Sequence, residues 1–367
     1  MRRFEYVGGT SNKFWEIGQS GSQVTVRFGR IGTNGQTQVK DLDSWDAAAE
    51  RVRKLVAEKL REGYEEVGAG DAPELGRGFV ASPKLPPYEP PPLPADGPAQ
   101  IGGINLPTGH RLEGDPEMTP RGVPYVPNPV VWATDEQVGN AGRYLSSLRT
   151  PAAAMHLVPM MLAGLDSEPA RPWDTHEFAP TDPRRIDAFD AEAELSHAWA
   201  GCFEDPEEVP DELAPFGTEF PGVATPPAIA PPAGFRRLFA GSSDPLDDSS
   251  ALAAMTQRRI ALVAASRPAD AITAIGWMGA VNVHDDPAPM SAILRSWEDR
   301  WFARVVEIGF DTLRLTVGNP PADQDTALAL AAEHFAFCPD NVWQGAGTIK
   351  KYGQALVRNR VWDFWWD

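Results

Sequence analysis

Apolar and polar positions alternate over Val24, Thr25, Val26, Arg27 and Phe28, and the run then meets Gly29-Arg30-Ile31-Gly32-Thr33-Asn34-Gly35. A period of two puts Val24, Val26 and Phe28 on one face and Thr25 and Arg27 on the other, so a strand feeds a glycine-punctuated turn. Residues 3–6 and 13–17 read as strands too, with turn residues at Ser11-Asn12 and over 18–21, and residues 37–40 can pair as a fourth strand. The period then changes. Trp45, Ala48, Val52, Leu55, Val56 and Leu60 recur at helical spacing; Asp43 or Ser44 offers the N-cap and Gly63 the stop. Residues 1–67 are therefore predicted to form an antiparallel sheet with one packed helix.

From residue 68 to about 100 the pattern dissolves in proline, densest at Leu85-Pro86-Pro87-Tyr88-Glu89-Pro90-Pro91-Pro92-Leu93-Pro94. Such a run favours extended polyproline II and builds no core, so it reads as a semi-stiff spacer, with a PxxP ligand as the second reading. Residues 101–257 read as helical and loop-rich. Helices are predicted over 135–147 and 187–202, an apolar buried stretch interrupted by Pro159 over 152–165, and a proline-rich acidic loop over 206–232. The pattern sharpens from Arg258. Ile260-Ala261-Leu262-Val263-Ala264-Ala265 is a buried strand, while 270–277 fits a helix or a strand. Met290, Ile293, Leu294, Trp297 and Trp301 mark an amphipathic helix, and 304–317 gives one or two strands around Gly309. Asp323 caps a helix carrying Leu328, Ala331, Phe335 and Cys338; a helix over 348–357 and a Trp-rich strand over 361–366 follow. The predicted fold class is α+β: an N-terminal antiparallel sheet with one packed helix, a Pro-rich linker, and a larger C-terminal mixed α/β sandwich. The expected divisions are 1–67, 68–100, 101–257 and 258–367.

Charge changes this picture. The net charge of -18 is uneven: the first 67 residues hold 11 Lys and Arg against 10 Asp and Glu, and the remainder hold 22 against 41. An anionic partner can approach the first segment and is repelled by the rest. Two cysteines, Cys202 and Cys338, make neither a disulfide framework nor a CxxC site. No apolar run reaches the roughly 18–20 residues of a membrane span, and no signal-type apolar region follows Met1. The expectation is a cytoplasmic protein with no membrane partner.

Three features occur in order: Asn12-Lys13-Phe14-Trp15, then Phe28-Gly29-Arg30-Ile31-Gly32-Thr33 with Gly35-Gln36, then Lys40 and a helix ending Glu58-Lys59-Leu60-Arg61-Glu62-Gly63-Tyr64. Over residues 1–67 this resembles a WGR domain, named for a Trp-Gly-Arg signature, as in poly(ADP-ribose) polymerases and bacterial WGR proteins. Phe28 stands where the signature has Trp, so the indole donor is absent and ring stacking is left. In the polymerases these domains bind DNA near a strand break. The resemblance implies that Phe28 stacks on an end nucleotide and that Arg30 contacts phosphate. Residue chemistry agrees: an Arg fork suits phosphate oxygens, and an aromatic platform contributes about 1–3 kcal/mol per stacked base without reading sequence. Lys13, Arg27 and Lys40 complete the candidate DNA-binding set. The competing readings stay open: Phe28 as core, Arg30 in a structural ion pair, and Lys13, Arg27 and Lys40 as solvated strand residues.

The runs Leu294-Arg295-Ser296-Trp297-Glu298-Asp299-Arg300, Gly309-Phe310-Asp311-Thr312-Leu313 and Ala332-Glu333-His334-Phe335-Ala336-Phe337-Cys338-Pro339-Asp340-Asn341 are similar to the uncharacterised domain-of-unknown-function 4253 family. That family brings no activity with it. His334 and Cys338 suggest a nucleophile and base, but both fall on one predicted helix whose apolar face Cys338 continues, which favours an inert buried thiol. Glu194, His197 and Cys202 lack the spacing of a metal site, so neither a metal nor a cofactor is expected. Arg295, Trp297, Glu298, Asp311 and Trp343 form a candidate groove if the helix around Trp297 packs on the following strands.

The leading expectation is a non-enzymatic adaptor whose WGR-like module contacts DNA ends or breaks while the acidic C-terminal region binds a protein partner. The alternatives are a protein-interaction or toxin-immunity module without DNA binding, and an enzyme using the C-terminal groove.

Overall fold

The period-two segments assemble into two separate sheets. The computed structural model of the chain describes residues 2–8, 11–20, 22–30, 36–41, 51–56, 59, 64–67, 86–120, 122–203, 209–227, 252, 255 and 257–367. Two units result: residues 1–84 with 200–209, and residues 85–199 with 210–367.

The first unit holds β1 (Arg2–Gly8), β2 (Ser11–Ser20), β3 (Gln23–Arg30), β4 (Gln36–Asp41) and β5 (Glu65–Val67), in the order β4-β3-β2-β1-β5. Every pairing is antiparallel. Residues 51–56 form a helix, α1. Trp15 stands opposite Phe28 and Ile17 opposite Val26, so the register keeps apolar positions on one face. Phe4, Trp15, Ile17, Val24 and Val56 are buried there, and Val26, Phe28, Val52, Leu55 and Tyr64 pack around them. The strands outrun their turn signals. Ser11 and Asn12, read as a turn, pair with Gly8 and Val7, and Gly18 to Ser20 continue β2. The predicted helix start at residues 43–44 and its stop at Gly63 lie outside the described residues. The short strand β5 was not predicted.

The second unit is built on one mixed sheet of eight strands. These are β6 (Gly97–Ile101), β7 (Ile104–Leu112), β8 (Val131–Thr134), β9 (Val158–Leu162), β10 (Arg259–Val263), β11 (Ala303–Ile308), β12 (Thr312–Val317) and β13 (Val361–Trp365). Their order is β13-β12-β11-β9-β10-β8-β7-β6, and β9 with β11 is the parallel pair. Strands from both sides of residue 258 alternate within this sheet, so the parts expected at 101–257 and 258–367 share one structural unit. Pro159 lies inside β9, where β11 pairs with Met161 and Leu162, so no ladder bond on that side needs the missing proline N–H.

The proline-rich stretch corrects the spacer expectation. From Pro86 its described residues belong to the second unit. Arg184 donates to the Pro86 carbonyl at 2.7 Å and lies 5.4 Å over the Tyr88 ring, and Trp132 donates to the Ala95 carbonyl at 3.2 Å. Residues 68–85 lie outside the described part.

Helices cover the sheet. They are α2 (Ala141–Ala153), α3 (Ala191–Ala200), α4 (Ala271–Ile275), α5 (Pro287–Trp301), α6 (Gln324–Phe337) and α7 (Ile349–Leu356). The Asp323 carboxylate caps α6 by accepting from Thr326 N, as the sequence suggests. The helix predicted over 135–147 starts later, after Asn140 in the left-handed region at φ 58°. Residues Asn341–Ala346 form a π turn. Trp297 and Trp301 of α5 and His334 and Phe337 of α6 pack against Trp362, Phe364 and Trp366, all buried.

Strand β13 is a sheet edge, but side chains blunt it. Asn341 Nδ2 donates to the Asp363 carbonyl at 2.7 Å, the Cys338 thiol donates to the Trp365 carbonyl at 3.0 Å, and Val361 N donates to Asn359 Oδ1 at 3.0 Å.

Candidate functional site

Lys13 and Arg30 occupy register positions opposite each other on β2 and β3. They stand where β3 meets the glycine-rich run 31–35, which lies outside the described residues. Adjacent strands run about 5 Å apart, so the two cationic residues start from neighbouring backbone positions. Lys40 is exposed and stands opposite Val24, six residues from Arg30 along β3, or about 20 Å at the rise of a strand. The structure therefore pairs Lys13 with Arg30 and sets Lys40 apart.

Phe28 is half-buried against the Trp15 core, so its ring already has a packing role. Arg27 leaves the candidate set. Its fork donates to both Glu16 oxygens at 2.8 and 3.1 Å, and its guanidinium lies 5.4 Å from the Phe14 ring centre. Arg3 approaches the same ring at 4.5 Å and donates to Glu16 at 2.8 Å. Burial opposes ionisation of Glu16, but the Arg27 and Arg3 forks outweigh it and hold the carboxyl below its usual range. Arg27 is thus part of a satisfied cross-strand network rather than a free phosphate donor.

The candidate groove of the second unit does not assemble. Trp297 is buried completely and stacks on Phe364 at 5.4 Å. Arg295 is bound to Asp270 and Asp187, both at 2.6 Å, and Glu298 faces Arg267 at 3.3 Å. Burial raises the Glu298 pKa against the pull of Arg267. Asp311 accepts from Trp365, and Trp343 packs edge-on against Phe335. Among the described residues no side-chain hydrogen bond or ring contact joins any two of the five.

What α5 and α6 do bring together is Glu333 and Arg300. The Glu333 carboxylate has no solvent exposure and accepts from Arg300 at 3.0 and 2.5 Å, from Trp297 Nε1 at 2.8 Å and from Ala224 N at 2.8 Å. Arg300 also donates to the Ala224 carbonyl at 2.8 Å, so one ion pair grips both polar groups of a single residue. Sequence reading placed Glu333 in a reactive-looking run but had no sign of its partner, which lies 33 positions away.

His334 and Cys338 are committed to structure. The His334 backbone carbonyl accepts from Cys338 N, and both side chains point to other partners. Asn341 donates to the Tyr352 oxygen at 3.0 Å, so the Tyr352 hydroxyl is free to donate to His334 Nδ1, 3.1 Å away. The histidine proton then sits on Nε2, among the rings of Trp362 and Phe364. Burial, and next the Arg300 charge, depress the His334 pKa well below 6.5. Unfolding lets this histidine bind a proton below that value, so its contribution to stability is complete above pH 6.5 and is lost as pH falls beneath it. Unfolding midpoints at about pH 7.5 and 5 should show the loss, and a His334→Phe variant should show a smaller difference between them. An unchanged difference would mean that His334 is not the group responsible.

Burial pushes the Cys338 thiol up to about 12, whereas Cys202 is half-exposed. At neutral pH iodoacetamide is expected to leave Cys338 unmodified in the folded protein and to label it once denaturant is added. Peptide mass analysis reads the difference, and rapid labelling of the native thiol would contradict it. Among the described residues no cluster of His, Cys, Asp and Glu could hold a metal, and no helix is long and apolar enough to cross a membrane.

Residues 1–71 match the WGR domain family, and residues 259–367 match the family described as Domain of unknown function (DUF4253). The chain is 41% identical over 66 residues to Protein YehF of Escherichia coli (strain K12), covering 18% of this chain and 24% of that protein. It is 37% identical over 65 residues to the uncharacterized protein YfeS of the same strain, covering 18% and 27%. The chain thus spans about a quarter of the length of these curated relatives. A crystal structure of a Bacteroides fragilis protein shares 43% identity over 18% of this chain and 19% of its own, with a TM-score of 0.18.

Proposed function

We propose that this protein is a non-enzymatic, cytoplasmic adaptor whose first unit binds DNA at ends or breaks and whose acidic second unit binds a basic protein. The match of residues 1–71 to the WGR domain carries the reading. The register position of Arg30 beside Lys13 supports it, because two neighbouring cationic residues suit one phosphate group. Phe28 keeps part of its ring outside the core and can present it to a base without selecting sequence. Lys40, on β4 opposite the other end of β3, extends the contact line to a second phosphate. The adaptor part draws support from Cys338 and His334, which are buried and already engaged.

Binding of this kind is tolerant of sequence and depends steeply on salt. A labelled blunt linear duplex and a closed circle of the same sequence, titrated at about 50 and 200 mM salt, provide the test. The linear form is expected to bind more tightly, and affinity for both should fall as salt rises. Absent binding, or binding insensitive to salt, overturns the DNA assignment.

A further inference from the structure

Strand β13 alternates sharply: Trp362 and Phe364 are buried, as is Trp366 beyond the strand, whereas Trp365 between them is 39% exposed. Its ring is nevertheless fixed. The indole N–H donates to Asp311 Oδ2 at 3.2 Å, the Trp365 carbonyl accepts from Cys338, and Trp366 N donates to the Asp311 carbonyl at 3.1 Å. With the indole edge engaged, the face of the ring is what remains for a partner, and that face carries the negative end of the aromatic quadrupole.

The surroundings have the same sign. Asp311 touches the ring edge. Asp367 follows two residues on, is exposed, and its backbone N–H donates to Asp340 Oδ2 at 3.2 Å. Asp340 is fixed from its other oxygen by Gln344 at 2.9 Å. Among the described residues Asp311, Asp340 and Asp367 make no ion pair, whereas the nearby Asp363 is paired with Arg314 at 2.5 Å and Glu307 with Arg258 at 2.7 Å. An immobilised, solvent-facing indole therefore has the Asp311 carboxylate at its edge, with Asp340 and Asp367 joined to each other just beyond it, and none of the three pairs with a cation among the described residues.

We infer that Trp365, Asp311, Asp340 and Asp367 form a recognition patch for a lysine or arginine side chain of a basic protein segment. A cation over the ring face gains the quadrupole attraction and three carboxylates together, while an acidic or phosphate-bearing partner is repelled. The fixed ring costs little ordering on binding. The inference rests on the reading that the second unit binds a basic protein, and it names the surface that does so.

The test uses the full chain and a labelled oligo-arginine peptide, titrated by fluorescence anisotropy at low salt. Trp365→Ala, and separately the Asp311→Asn/Asp367→Asn pair, should each weaken binding by about tenfold, the scale of a desolvated cation–π contact. Asn at position 311 still accepts the indole N–H, so the ring keeps its place while the charge is lost. Trp365→Phe keeps a π face and should retain most of the affinity. The control is Asp211→Asn/Glu212→Gln, which removes two exposed carboxylates elsewhere on the unit. An equal loss in the control overturns the patch but leaves the basic-partner reading standing. No binding by the unaltered protein overturns both. Near-UV circular dichroism of each variant identifies any that has failed to fold.

Discussion

Glu333→Ala is expected to cost the second unit about 3–5 kcal/mol of unfolding free energy, the range seen when one partner of a buried ion pair is removed. Alanine would leave Arg300, whose side chain is 20% exposed, without its counter-charge. It would also leave the Trp297 and Ala224 N–H groups without an acceptor. Each buried donor left unsatisfied costs about 1–3 kcal/mol. Glu333→Gln keeps the volume and an acceptor oxygen and should fall between alanine and the native residue. Removing both charges, in Glu333→Leu/Arg300→Met, should recover much of the loss, because the desolvation penalty of the pair disappears with it. Urea unfolding followed by near-UV circular dichroism measures all three. A loss below about 1 kcal/mol for the alanine variant would show that water replaces the carboxylate and that the pair is not structural.

Arg30→Ala is expected to weaken binding to linear duplex DNA by about tenfold and to lower the slope of log affinity against log salt by about one, the signature of a lost phosphate contact. Lys13→Ala should act in the same direction. Arg27→Ala should behave differently, since that guanidinium is spent on Glu16: it should lower the stability of the first unit and leave the salt slope alone. Unchanged affinity and slope in Arg30→Ala would remove the end of β3 as the DNA-contacting surface.

Much of this architecture is legible in the chain because burial on one face enforces a strict period. Val24, Val26 and Phe28 in β3, and the buried run of β10, are of this kind. Helix α6 is legible from its Asp323 cap and from Ala331 and Phe335 on its buried side, while Leu328 of the same expected face is only half-buried and Cys338 falls just past the helix. The hairpin of β6 and β7 is not, and the reason is physical. A bulge between Pro98 and Ala99 breaks the alternation, and the buried positions of β7, Leu106, Gly109 and Leu112, recur every three residues rather than every two. One signal was present: Gly102 and Gly103 both take positive φ, 55° and 84°, as a two-residue hairpin turn between antiparallel strands requires. Strand β5 has three residues, two of them Glu, and offers no pattern to read.

The candidate sites divide in the same way. Arg30 and Lys13 are legible as candidates from local runs, and the strand register sets them opposite each other. The partners of Arg27, Glu333 and Asp311 come from other elements, and no spacing along the chain encodes them. Trp297 shows the limit from the other side. A helical stripe identifies it as apolar, but only the packing of α5 against β13 decides that its ring is covered and unavailable to a ligand.

The blunted edge of β13 bears on how this chain behaves at high concentration. At the opposite margin of the sheet, β6 carries Pro98, which has no N–H to offer an incoming strand. Neither margin is therefore a template on which a second molecule can add itself and pass the same invitation to a third. Asn341→Ala would free the Asp363 carbonyl and also take away the donor to the buried Tyr352 oxygen. Such a variant would show a lowered melting temperature from the interior loss and, separately, slow fibre growth on storage from the opened edge.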